Sequence, residues 1–345
     1  MLLSSAEIKK DWDTPFRYVF SGLLNNPIHD MVMDAKGFEP LSMLEIPKDP
    51  YSVRKILRWK DEGFVDFFIL DSGAYSVFTG NFDLNQDSYA DFINMHEGKL
   101  DAVAQLDTIP GKRGVPTSPE DYEESAKQSW EDFLSLRERI YDPSLLMPIF
   151  HGGEDHTYLK RMLDFRDSDG NPLQYIGLAP ANNRSLETSA RRLLDMYKVI
   201  HSSSNPQVKT HVYGYTSLIN MSMFPCYSAD STTHRIAASL NKVQSFNFGT
   251  ISTIRKGRAD GNRTGMSFFD TADKHNLEKF RAELEYFGID LAFAKRHGYE
   301  GNDLFSWLTE SYSARCAVSI LNLQRMSKDT LVYKDGINKF PTRLF

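Results

Sequence analysis

The stretch VDFFILDSGAYS, residues 65–76, runs four apolar side chains directly into Asp71, then a serine, a glycine and an aromatic. A near-continuous apolar run of this length reads as a strand covered on both faces. A buried strand ending on a carboxylate is unusual unless the carboxylate has a task, because burying a charge is costly. Asp71 has company. Asp107 ends LDAVAQLD (100–107) and Asp230 ends CYSAD within 226–231, each directly after an apolar strand.

Six further runs complete a series of eight candidate strands with 65–73 and 100–107: FRYVFSG (16–22), LLMPIFHGG (145–153), YIGLAP (175–180), KTHVYGY (209–215), CYSADS (226–231) and QSFNFGT (244–250). Helix-like segments separate them. In SPEDYEESAKQSWEDFLSLRERI, Ser118 suits an N-cap, Pro119 the first helical position, and Glu120 and Asp121 the positive end of the helix dipole. Tyr122, Ala126, Trp130, Phe133 and Leu134 form its apolar stripe, and residues 185–201 read as a second helix. Strand alternating with helix implies parallel pairing, and eight repeats predict an α/β fold, a (β/α)8 TIM-type barrel over residues 1–270. Residues 271–345 carry amphipathic helices, the first ending at Gly288, and are read as a helical extension packed on the barrel. In a parallel barrel, residues at strand ends gather at the C-terminal rim where active sites are built, so the three aspartates, from the second, third and seventh strands of this series, should face one another.

The composition suits this reading. The chain has 345 residues, 41% apolar and 25% charged, and a net charge of −6. The acidic balance argues against a broad nucleic-acid surface but leaves room for a local basic groove. Cys226 and Cys316 are too few for a disulfide framework or a cysteine-rich zinc site, and read as reduced thiols. The opening MLLSSAEIKKDWD lacks a basic segment followed by a long apolar run, and no window approaches the roughly 18 apolar residues of a bilayer span, so a cytoplasmic protein with no membrane partner is expected.

Other strand ends carry glycine: FHGG (150–153), IGLAP (176–180) and YGYT (213–216). Glycine there lets backbone approach a flat ligand closely. In order along residues 65–265, these segments resemble the motifs of the tRNA-guanine transglycosylase superfamily. DSGAYS resembles that family's DSGG-aromatic motif, QLD its base-reading aspartate, FHGG its QGG, IGLAP its G-G-L-A-V-G and YGYT its M-G-x-G. SADSTTHR falls where the family carries its nucleophilic aspartate. Three departures are visible: His151 replaces glutamine, Ala74 replaces the second glycine of DSGG, and the C-terminal zinc module is missing. A divergent, zinc-free chain with ADST after the strand looks most like the phage and bacterial-island DNA 7-deazaguanine transglycosylases.

What the resemblance implies is base exchange, guanine in DNA replaced by a 7-deazaguanine (preQ0-type) base, with no metal or cofactor. Asp230 would attack C1′ to form a covalent glycosyl-enzyme, and Asp71 would act as general acid and base. Asp107 would read the guanine-like edge and His151 the base carbonyl. Tyr75 would stack on the base, while Gly153, Gly177, Leu178 and Gly214 offer backbone. A basic approach for an extruded base is expected from Arg255, Lys256, Arg258 and Arg263, with Arg184 and Arg235. DNA and tRNA both stay open as the polymer. A barrel glycoside hydrolase is a rival, though such enzymes more often use Glu, and none of the four tryptophans, Trp12, Trp59, Trp130 and Trp307, ends a strand. A non-catalytic nucleic-acid-binding subunit is the other, although it would have no need of both Asp71 and Asp230. His151 and His211 do not form a metal set, His211 lying early in its strand.

Overall fold

A computed structural model of the chain describes residues 16–180, 186–214, 224–253 and 267–329. Two compact units divide them. The first runs to Gly22 and from Ser42 to Ser231; the second comprises Leu23–Leu41 and Thr232–Asp329. The division therefore falls at Ser231, not near residue 270, and the second unit recruits a segment from the front of the chain.

The first unit is a parallel α/β barrel. Its strands are β1 (Arg17–Ser21), β2 (Leu41–Glu45, whose first residue falls in the other unit), β3 (Val65–Leu70), β4 (Ala102–Ala104), β5 (Leu146–Met147), β6 (Ile149–His151), β7 (Tyr175–Ala179), β8 (Lys209–Val212) and β9 (Ser228–Ser231). The order around the sheet is β5-β4-β3-β2-β1-β9-β8-β7-β6. Its two ends, β5 and β6, are halves of one stretch separated by Pro148, which has no N–H to donate and so interrupts the ladder. The Pro148 carbonyl nevertheless accepts from Gly177 N–H at 2.7 Å, and Gln105 N–H reaches Met147 O at 3.1 Å, so the ring is carried across the break. Nine strand segments thus make the eight staves expected.

One stave differs from expectation. LSMLE (41–45) supplies the second, and the eighth expected strand at 244–250 is instead a hairpin of the second unit, Lys242–Ser245 paired antiparallel with Gly249–Ser252. Gly249, at φ +67, makes its turn where other residues would be strained. The three aspartates consequently belong to the third, fourth and eighth staves.

The barrel interior is filled by residues of β1 to β7, Val19, Leu44, Phe67, Ile69, Ala102, Ala104, Met147, Ile149 and Tyr175, joined by Tyr227 just before β9. Towards the strands' N-terminal ends, Phe67, Tyr175 and Tyr227 pack edge-on and tilted, with the Arg17 guanidinium 4.8 Å over Phe67 and paired with Asp66 at 2.7 Å. Apolar and aromatic layers therefore close one end, and Asp71, Asp107 and Asp230 take the other.

The helix expected from 118 onward is Pro119–Arg137, with a full capping box between Ser118 and Asp121. Ala126, Trp130, Phe133 and Leu136 face inward, while Leu134 is exposed because it lies about 100° from its neighbour Phe133 around the helix. In the second unit, Lys274–Tyr286 is helical and Gly288, at φ +69, terminates it as expected. The long amphipathic stretch 303–328 is broken into Leu304–Glu310 and Tyr312–Asp329, because Ser311 is extended and its hydroxyl caps Ala314 N–H at 3.1 Å. No helix among the described residues is long and apolar enough to cross a membrane.

Candidate active site

The three aspartates lie at one end of the barrel. Asp71 follows β3, Asp107 lies three residues beyond β4, and Asp230 is inside β9, beside Val19 of β1. That register sets Ser21, two residues on and on the same face, to donate its hydroxyl to Asp230 Oδ2 at 2.6 Å. Gly214, in a left-handed turn at φ +62, donates its N–H to Oδ1 at 2.8 Å. His211 of β8 brings Nε2 to 3.5 Å from the same oxygen and anchors Nδ1 on Ser228 Oγ at 2.6 Å; Ser228 in turn meets the Tyr175 hydroxyl. Burial works against the Asp230 charge, but His211, Ser21 and the Gly214 N–H outweigh it and hold this carboxyl below its ordinary value.

Asp71 is placed oppositely. Burial first, then the charges of Asp107 and Asp230, push it up to about 8, against backbone hydrogen bonds from Gly73 and Ser72. Near neutrality it holds a proton while Asp230 is ionised. Two carboxyl groups driven apart in this way is the arrangement that assigns acid and base roles within one site.

Asp107 accepts from Ser72 Oγ at 3.2 Å through Oδ1 and meets His151 Nε2 at 2.9 Å through Oδ2. Burial disfavours the His151 imidazolium, yet the Asp107 hydrogen bond and charge, aided by Glu154, raise its pKa overall. His151 is 4% exposed, and its Nδ1 is buried without a protein partner. Glu154 fixes the backbone here, accepting His151 N–H at 2.9 Å, and burial lifts it to about 7. Tyr213 completes the cluster. Its hydroxyl is buried with no protein partner, and burial, then Asp71, Asp107 and Asp230 together, push its ionisation well above normal. The phenol is thus an unused donor facing all three carboxylates.

The glycines have specific steric reasons. A Cβ on Gly177 would lie 2.8 Å from the Tyr213 ring and 2.9 Å from the Ile149 side chain, and on Gly153, at φ +122, 2.6 Å from the Tyr122 ring. Gly177 N–H already donates to Pro148, and the Leu178 carbonyl accepts from Tyr213 N–H at 2.9 Å, so these groups serve the barrel ladder. Gly177 makes room for Tyr213 rather than presenting its own N–H to a ligand.

Beside the acidic mouth lies a cleft of about 520 Å³ lined by Lys112, Arg113, Tyr122, His151 and Arg192 among others. Tyr75, 61% exposed on the short helix Ala74–Phe78, forms part of its wall. Of the expected basic residues, Arg235 is exposed on the helix Thr233–Ser239 of the second unit. Arg184, Arg255, Lys256, Arg258 and Arg263 lie outside the described residues.

Four contributors went unread in the sequence: Ser21, His211, Tyr213 and Glu154. A signal existed for two of them. His211 and Tyr213 share the inward parity of KTHVYGY, which makes a histidine early in the strand an interior residue rather than a remote one.

No protein-family model matches the chain, and no curated protein matches it.

Proposed function

We propose that this chain is a glycosyltransferase that exchanges guanine in DNA for a 7-deazaguanine base through a covalent aspartyl-glycosyl intermediate. The observation that carries the reading is the opposed surroundings of Asp71 and Asp230 at one barrel mouth, Asp230 held by Ser21 and the Gly214 N–H and Asp71 buried beside the other two aspartates, with the Asp107–His151 pair next to them.

In the first half-reaction, an Asp230 carboxylate oxygen attacks C1′ of the target nucleoside. The C1′–N bond breaks, its electron pair leaves with guanine, and the Asp71 proton goes to the departing base. Asp230 suits the attack because it is ionised, and a carboxylate matches the oxocarbenium character of the transition state. In the second half-reaction, Asp71, now ionised, takes a proton from the incoming base, whose nitrogen attacks C1′ and releases Asp230. Asp107 accepts from the N–H groups of a guanine-like edge. The buried Nδ1 of His151 is the ring atom left to meet the base when Nε2 is held by Asp107. The target base reaches the mouth extruded from its stack.

The test incubates the protein with duplex DNA and, separately, tRNA, plus labelled guanine or candidate 7-deazaguanines, followed by nucleoside mass spectrometry. Incorporation into DNA is expected, and Asp230→Ala should abolish both exchange and any covalent adduct. Incorporation into tRNA alone would move the reading to the tRNA enzymes. Release of sugar or base without incorporation would replace it with a hydrolase.

A further inference from the structure

We infer that the cleft formed by the Pro110–Thr117 loop and Arg192 binds the phosphodiester backbone of a single nucleic-acid strand, next to the nucleotide held at the acidic mouth. The inference rests on the base-exchange reading for the identity of that neighbour. It rests on the cleft's own chemistry for the anion.

Three cations line the cleft, Lys112, Arg113 and Arg192, and no carboxylate does among the described residues. This is against the grain of a chain with net charge −6. Lys112 and Arg113 are exposed, and none of the three is paired with an acid among the described residues. Arg192 is half-buried and is oriented by one hydrogen bond, Nη1 to Pro180 O at 3.3 Å, which leaves its other N–H groups for a ligand. Unpaired cations without competing acids form a site for a polyanion, and arginine forks match phosphate oxygens in particular.

Aromatic rings stand beside these cations. Tyr75 is open to solvent on one wall. Tyr122 is held on another, against Gly153, where a side chain would displace it. Stacking rings beside a cationic track is the combination that holds single-stranded nucleic acid without reading its sequence. His151 lies both in this lining and in the hydrogen bond to Asp107. The cleft therefore adjoins the mouth across the His151 ring, and a strand lying in it would set one nucleotide at the carboxylates and its neighbours on the cations. The Arg255–Arg263 segment named from sequence is not needed for this track.

The experiment compares the wild-type protein with Lys112→Gln/Arg113→Gln, the same pair plus Arg192→Gln, and Tyr75→Ala. Each is checked for unchanged thermal unfolding, then titrated with a fluorescent single-stranded DNA oligonucleotide and its RNA counterpart across a range of salt. Wild-type affinity should fall with salt, and the log–log slope should shrink by about 0.7 for each cation removed. Tyr75→Ala should weaken binding by about tenfold with the slope unchanged. The tighter polymer names the natural one. A wild-type affinity insensitive to salt, or variants whose slope and affinity match wild type, would overturn the inference. The same variants are then assayed for base exchange. If exchange occurs and its KM for polymer is unmoved by the substitutions, the cleft proposal fails while the base-exchange reading stands. If binding and slope behave as expected but no polymer supports exchange, the cleft proposal stands and that reading fails.

Discussion

Asp71 and Asp230 are chemically identical side chains with opposite surroundings, and the difference has measurable consequences. In the proposed exchange the Asp71 carboxyl, pushed up to about 8, protonates the departing base only while it keeps its proton. Single-turnover release of guanine by the free enzyme should therefore persist to about pH 8 and fall above it, and Asp71→Asn should remove the limb together with most of the rate. The same shifts act on stability with opposite signs. The raised group in the native state contributes stability that is fully present below its ordinary value of 3.8 and is lost as pH rises towards about 8. The lowered Asp230 contributes stability present above the ordinary carboxylate value and lost as pH falls through its native one. His211 holds that charge in place. Its replacement by alanine removes a group 3.5 Å from the Asp230 charge, so adduct formation at neutral pH should slow by about tenfold. Its acid limb should also move upward. An unchanged acid limb would show that Ser21 and Gly214 suffice.

The strand β7 is built around an absence. Gly177 leaves room for the Tyr213 ring and for Ile149. Gly177→Ala should lower stability by about 1–3 kcal/mol through overpacking and push the Tyr213 phenol from the mouth. Thermal denaturation reads the first effect. A changed pH profile of guanine release reads the second. Elements of this kind were partly legible. The helix at 119–137 announced itself through Ser118, Pro119 and Asp121, because capping is local chemistry. LSMLE carries little strand signal: it is only five residues long and closely follows Pro40. QSFNFGT has the apolar run of a barrel strand, yet the turn between Lys242–Ser245 and Gly249–Ser252 lies within it. An apolar run does not say whether its partner is parallel or antiparallel.

Across the molecule, the barrel places an apolar and aromatic fill towards one end and carboxylates at the other, while the second unit is held by its own polar device. Glu283 is buried there and accepts from Ser245 Oγ, Phe246 N–H, Asn247 N–H and Asn247 Nδ2 at 2.9–3.2 Å. Glu283→Ala leaves these donors without their acceptor and should lower stability by about 3 kcal/mol, seen as a reduced Tm. A variant as stable as wild type would mean that water replaces the carboxylate.

The residues in order were enough to specify a parallel α/β barrel, seven of its eight staves and the three aspartates at its mouth. Strand periodicity, strand-end carboxylates and caps are all written within a few neighbouring positions. They could not specify which aspartate keeps its charge. That depends on Ser21, 209 residues from Asp230 along the chain, on a histidine of the adjoining strand and on a glycine N–H from the turn after it. Nor could they give the limits of the two units, one of which joins residues 23–41 to 232–329. Desolvation and mutual repulsion among buried charges are properties of an assembled neighbourhood, and they exist only once distant strands have been brought side by side.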